Sequence, residues 1–174
     1  VARAASEIRI DGVLDEDAWN RAAVVPLPYE WSPGDNVPPP VETECLVTYD
    51  AKYLYVAFRA HDPNPGDIRA HLMDRDDTDT LIQDDHVGVM IDTFNDERRA
   101  FQFRVNPLGV QADAVFSEQD GVEDFSWDMI WNAVARITPD GYVVETALPL
   151  KQLRFPAGSG PQTWGFEAFR SYPR

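Results

Sequence analysis

The stretch FQFRVNPLGVQAD, residues 101–113, spaces its polar side chains in a way suited to recognition. Gln102, Arg104 and Asn106 alternate with Phe101, Phe103 and Val105, so an extended chain turns the polar groups to one side and the apolar ones to the other. The turn signal NPLG then sends the chain back and brings Gln111 beside them. Planar amides and a guanidinium fork can each form paired hydrogen bonds to vicinal hydroxyls, while an aromatic ring covers the C–H face of a sugar. This is the chemistry of saccharide recognition. Trp31, in the Pro-rich PYEWSPGDNVPPP (28–40), and Trp127, in EDFSWDMIW, are the rings available for it. The competing arrangement is structural: Arg104 pairs with Asp113 across the hairpin and the amides face water.

A second concentration of functional groups lies in HDPNPGDIRAHLMDRDDTDTLIQDD (61–85), where residues 74–85 alone hold six Asp and one Arg. Closely spaced carboxylates repel one another unless they are solvated or bridged by a cation, and Ca²⁺ takes about six to eight oxygen ligands. The expectation is that a divalent cation, Ca²⁺ first, orders the 61–92 region through some of Asp62, Asp84, Asp85 and Asp92. The spacing is not that of an EF-hand, because Asp79 and Asp85 stand where that loop needs Gly and Glu. The alternative is a solvated acidic loop. His61, His71 and His86 lack HExxH spacing and read as separate polar side chains.

Catalysis is the other class to weigh. A glycosidase needs two carboxyl groups about 5 Å or about 6.5–9.5 Å apart. With 30 acidic residues, candidates such as Asp113, Glu118 and Glu123 are unavoidable, and their presence decides nothing. Glu145, inside a strand-like run, reads as a structural acid paired with an arginine. AGSGP (157–161) is not a GxSxG elbow, and no Gly-rich phosphate loop occurs. No catalytic residue is assigned.

The elements that must position these groups are strands. TECLVTYD (43–50) and YLYVAFRA (53–60) flank a tight turn and read as a hairpin. VGVMID (87–92), AFQFRV (100–105), QADAVF (111–116), WNAVARI (131–137), YVVETAL (142–148) and TWGFEAF (163–169) continue the series. Such a series predicts an all-β antiparallel sandwich of about eight to eleven strands with one or two short helices, the best being DEDAWNRA (15–22) and LPLKQL (148–153). Trp19 and Trp164 read as core anchors, as does one of Trp127 and Trp131.

Composition narrows the partners. The balance of 15 Lys+Arg against 30 Asp+Glu gives a net charge of −15, which repels phosphate backbones and anionic lipid heads. Nucleic acid is therefore not an expected partner. No run approaches the roughly 18 apolar residues of a membrane helix, and no membrane insertion is expected. Cys45 is the only cysteine and reads as a buried inert thiol. Residues 1–174 are read as one domain excised from a longer protein.

IRIDGVLDEDAWNRA, VTYDAKYLYVAFRAHDPNP, DDHVGVMID, FRVNPLG and DGYVVETALPLKQLRF followed by WGFEAFR occur in an order that resembles carbohydrate-binding modules of family 9. The resemblance spans roughly residues 8–170. It is nearest to modules at the N-terminus of large bacterial envelope proteins with an uncharacterised C-terminal domain. It implies a β-sandwich, often with structural Ca²⁺, that binds sugar hydroxyls and performs no catalysis. The partners it implies are a saccharide and that C-terminal domain; the place is extracellular, periplasmic or outer-membrane-associated. It also implies a role linked to glycan breakdown. The family's stacking Trp and acceptor Glu fall at Ile82 and Gly88 here, while its Arg and Asn are matched by Arg104 and Asn106. The alternatives are a docking module without sugar affinity and, behind it, a glycoside hydrolase.

Overall fold

The computed structural model describes residues 1–158 and 160–174. Ten strands form two sheets. They are β1 (Ala23–Pro26), β2 (Thr43–Tyr49), β3 (Tyr53–His61), β4 (His86–Asp92), β5 (Arg99–Val105), β6 (Gln111–Ser117), β7 (Val122–Asp124), β8 (Asn132–Thr138), β9 (Gly141–Pro149) and β10 (Gly165–Ser171). The first sheet has the order β1-β2-β3-β9-β8 and the second β10-β4-β5-β6-β7, with every pairing antiparallel. The expected antiparallel sandwich is the fold. β1 and β7 are the strands that the sequence pattern did not announce, being four and three residues long.

The core fills the space between the sheets. Cys45, Val47, Val56 and Phe58 point into it from the first sheet, and Val87, Val89, Ile91, Phe103 and Val105 from the second. Trp131 is buried here, and Trp127 and Trp164 pack against the same cluster.

The first sheet is covered on its outer side as well. The N-terminal segment lays Ile8 and Trp19 against Leu46, Tyr55 and Ala57. β3 is therefore buried on both faces, which is why YLYVAFRA reads as a near-continuous apolar run instead of an alternating one. The helix expected over 15–22 is reduced to a 3₁₀ turn at Trp19–Arg21, and a similar turn spans Leu150–Gln152.

Glu145 lies under this cover, fully buried. Trp19 Nε1–H donates to its Oε1 at 3.0 Å, and the backbone N–H groups of Asp11 and Gly12 donate to its Oε2 at 3.0 and 2.6 Å. Gly12 sits at φ +80°, a conformation that glycine adopts without a steric penalty. Glu145 is thus structural, as expected. Its partners, however, are an indole and two backbone amides, not an arginine.

Candidate functional site

The outer face of the second sheet is covered more thinly, by its own long side chains and the rings beside them: Gln102, Ala112 and Ala114 are buried under them, and register decides what stands where. Arg104 pairs with Gly88 on β4 and Ala112 on β6, and Gly88 in turn pairs with Phe169 on β10. One row across the face therefore reads Phe169, Gly88, Arg104, Ala112. The next row reads Glu167, Met90, Gln102, Ala114. Small neighbours leave room above them for the long side chains of Arg104 and Gln102. A Cβ on Gly88 would lie 2.4 Å from Cζ of Phe169, so that ring occupies the space above the glycine.

The Arg104 guanidinium lies between two aromatic rings, 5.8 Å from the centroid of Phe125 and 5.8 Å from that of Phe169. Its Nη2 donates to Glu123 Oε1 at 2.5 Å, and Gln102 Nε2 donates to the same oxygen at 3.0 Å. The Arg104 side chain is only 12% exposed, against 32% for Glu123. Burial lowers the guanidinium's pKa, with the Glu123 carboxylate opposing the shift. Arg104 Nε and Gln102 Oε1 are buried and have no hydrogen-bond partner among the described residues. His86 closes one end of the face. Its ring meets Phe169 edge-on at 6.3 Å, and its Nδ1–H donates to the Asp84 carbonyl at 3.1 Å. Burial pushes its pKa down to about 4, so it is a neutral imidazole near neutral pH.

Four residues expected on this face are elsewhere. Asn106 is fully buried: its Oδ1 accepts the N–H groups of Leu108 and Val110 at 3.0 Å each, and its Nδ2 donates to the His71 carbonyl and to Asp84. It closes the NPLG turn and ties it to the acidic segment. Gln111 pairs with Val105 and so points inward, where its Nε2 reaches the Trp131 carbonyl and its Oε1 accepts from Arg75. Trp127 packs on Phe101 and Phe103 at 4.9 and 6.0 Å, on the core side of the same sheet. Trp31 is 83% exposed on the 28–40 loop, and it is Phe125 and Phe169 that flank Arg104. The expected face thus divides, with Gln102 and Arg104 remaining on it.

The competing arrangement does not form either. Asp113 pairs in register with Phe103 and is therefore on the inner side, away from Arg104. There it contacts Arg75, accepts the Met129 N–H at 2.7 Å and accepts the Trp131 indole N–H at 3.2 Å.

The four aspartates named as possible Ca²⁺ ligands are each engaged by donors of the protein, two of them by the same arginine. Asp84 accepts from the His71 backbone at 2.7 Å, from His71 Nδ1 and from Asn106. Asp92 receives four backbone N–H groups, from Phe94 to Glu97, and so shapes the turn after β4. Asp62 and Asp85 both contact Arg174. Among the described residues, the acidic trio whose ligand atoms lie within 4.8 Å of one another is Asp76, Asp113 and Asp128. Arg75 inserts into that trio, contacting Asp113 and lying 3.2 Å from Asp128 and 3.5 Å from Asp76.

Two depressions lie away from the Arg104 face. One, of about 350 Å³, is lined by Pro26, Pro28, Pro39 and Pro40; the other, of about 540 Å³, by His61, Asp62, Pro63 and Asp140. Neither is lined by the planar donors and aromatic rings that Arg104, Gln102, Phe125 and Phe169 bring together, so we place the site by chemistry and not by depth.

One outer face of this two-sheet sandwich is sealed by the N-terminal segment, and the other carries planar polar groups beside aromatic rings with Glu123 partly exposed among them. The chain belongs to the family described as carbohydrate family 9 binding domain-like, whose model matches residues 10–170. Domains of this type bind carbohydrate and are not catalytic. Similar solved structures include a family 9 carbohydrate-binding module from Caldicellulosiruptor kristjanssonii in complex with cellotriose. It is 20% identical, with a TM-score of 0.64, and the match covers 97% of this chain and 74% of that one. The glucose complex of a family 9 module from the same organism matches with 20% identity and a TM-score of 0.61, over 97% and 75% of the two chains. No curated protein matches the sequence.

Gly88 and Phe169 carry a signal that sequence reasoning could have used. A glycine in an apolar strand marks close approach by another group, and its cross-strand partner is the natural candidate for that group. Phe125 carried no such signal, because its place depends on the chain turning over the sheet after β7.

Proposed function

We propose that the outer face of the second sheet binds neutral saccharides, with Glu123 and Arg104 hydrogen-bonding ring hydroxyls, the buried Gln102 holding Glu123 in place, and Phe169 and Phe125 supplying the aromatic surface. The observation that carries this reading is the Arg104 guanidinium held between two rings and tied to Glu123. The fork still has N–H groups to donate, and the carboxylate beside it still has lone pairs to accept. A vicinal diol needs both. The net charge of −15 favours neutral over anionic glycans. The cellotriose and glucose complexes of the similar modules make gluco-oligosaccharides the first ligands to try.

Calorimetric titration of glucose, cellotriose and a panel of other neutral oligosaccharides tests the proposal. Saturable binding is expected. Arg104→Ala should weaken it by about 1.5–3 kcal/mol, the range for hydrogen bonds to a charged group. Binding that is unchanged in Arg104→Ala, or absent for every glycan, would overturn it.

A further inference from the structure

The end of the chain, FRSYPR (169–174), holds two arginines that serve the interior. Along β10 the side chains alternate, so Phe169 lies outward over Gly88 while Arg170, paired with Val87, turns to the core side. The Arg170 side chain is 4% exposed. Its guanidinium is 5.2 Å from the ring of Tyr142 and 5.3 Å from that of Tyr172. Arg174 extends the stack, 4.5 Å from the Tyr172 centroid.

At the far end of this ladder the Arg174 fork meets two fully buried carboxylates from different parts of the chain. Nη1 contacts Asp85, just before β4, and Nη2 contacts Asp62, just after β3. The same carboxylates accept backbone N–H groups, Asp85 from Arg69 at 2.9 Å and Asp62 from Asn64 at 2.8 Å. Arg170 Nη2 lies 3.7 Å from the Asp62 oxygen that Arg174 contacts.

Two carboxylates and two guanidinium groups sum to zero. A divalent ion added to this group would leave a buried charge of two with nothing to offset it, and burying unpaired charge is costly. We propose that Arg174 is the built-in counter-cation of Asp62 and Asp85. It fills the place where the sequence led us to expect Ca²⁺, and it ties the 61–85 segment to the final strand without a metal. The Asp76, Asp113 and Asp128 trio, which holds Arg75, is a second case of the same device.

The test compares melting temperatures in chelator and in millimolar CaCl₂ for the wild type, Arg174→Ala and Asp62→Asn. In chelator, Arg174→Ala should melt about 5–10 °C below wild type, because it strands two buried carboxylates. The Ca²⁺-induced shift should be equal in wild type and Asp62→Asn, whatever ions bind elsewhere. In Arg174→Ala it should be larger, because the vacated pair becomes available to the ion. A Ca²⁺ shift at least about 2 °C greater in wild type than in Asp62→Asn would overturn the proposal. So would an Arg174→Ala protein that melts like wild type. If Asp62→Asn does not fold, the double variant Asp62→Asn/Arg174→Gln replaces it. It should melt no lower than Arg174→Ala, and a much lower value would count against the pairing.

Discussion

The two sheets treat their outer faces in opposite ways, and two glutamates mark the difference. Glu145, on the first sheet, is sealed by the N-terminal segment and has both oxygens matched by N–H donors. Glu123, on the second, is about one-third exposed and gathers Arg104 and Gln102 on one oxygen. Beneath it Arg104 Nε and Gln102 Oε1 lack partners among the described residues. A buried polar group whose hydrogen bonds are all made within the protein holds structure together. A carboxylate that stays one-third exposed, as Glu123 does, can still accept from a ligand.

Substitutions should separate the two faces. The largest effect is expected from Glu145→Gln, which turns an amide NH₂ toward donors that need an acceptor. Stability by urea unfolding should fall by about 3 kcal/mol, while the folded fraction keeps its saccharide affinity. Equal losses of stability and affinity would show that the faces are coupled.

Acid should act next, through His86. Its folded pKa of about 4 lies below the ordinary value of 6.5, so the stability it contributes is present above pH 6.5 and is lost as pH falls toward 4. The full difference is about 3 kcal/mol. Burial raises the pKa values of Asp85, Asp113 and Glu145, and these groups shift stability the opposite way, favouring the folded state as pH falls. Comparing wild type with His86→Gln between pH 7 and pH 5 isolates the histidine, and the variant should lose less stability over that interval.

Gly88→Ala should have a smaller, local effect. The new Cβ would sit 2.4 Å from Phe169 and 2.6 Å from the Phe103 carbonyl oxygen, so the ring must move and the strands must part slightly. A stability loss of about 1–3 kcal/mol is expected from overpacking. Saccharide affinity measured well below the melting transition should fall with it, and an unchanged affinity would remove Phe169 from the site.

The smallest response belongs to Cys45, fully buried, with its thiol pKa pushed up to about 12 by burial. A thiol-reactive dye should not modify it in native buffer and should modify it fully in denaturant.

The sequence made eight of the strands legible because their alternation or apolar runs reflect burial directly. Gln102 and Arg104 were legible for the same reason, since they lie inside β5 where period two holds. Asn106 and Gln111 were misplaced because the alternation ends at Val105. Beyond that point the turn's own amides claim Asn106, and the register with Val105 turns Gln111 inward. The aspartates read as a cation site because like charges at close spacing imply a compensating positive charge. What spacing could not show was that Arg75 and Arg174 supply it, one from within the acidic run and the other from the chain's last strand region.

The two shortest strands have a consequence for crowding. β1 ends on Pro26, which has no N–H to offer a neighbouring strand, and β7 is three residues long and carries Glu123 and Asp124. Each forms one edge of its sheet. Open edges invite strands from other molecules to add on, and brevity, proline and negative charge all oppose that. At these two edges the domain resists the strand-to-strand addition that would fuse copies into a continuous sheet, which leaves the longer edge strands β8 and β10 as the sides where such pairing is less opposed.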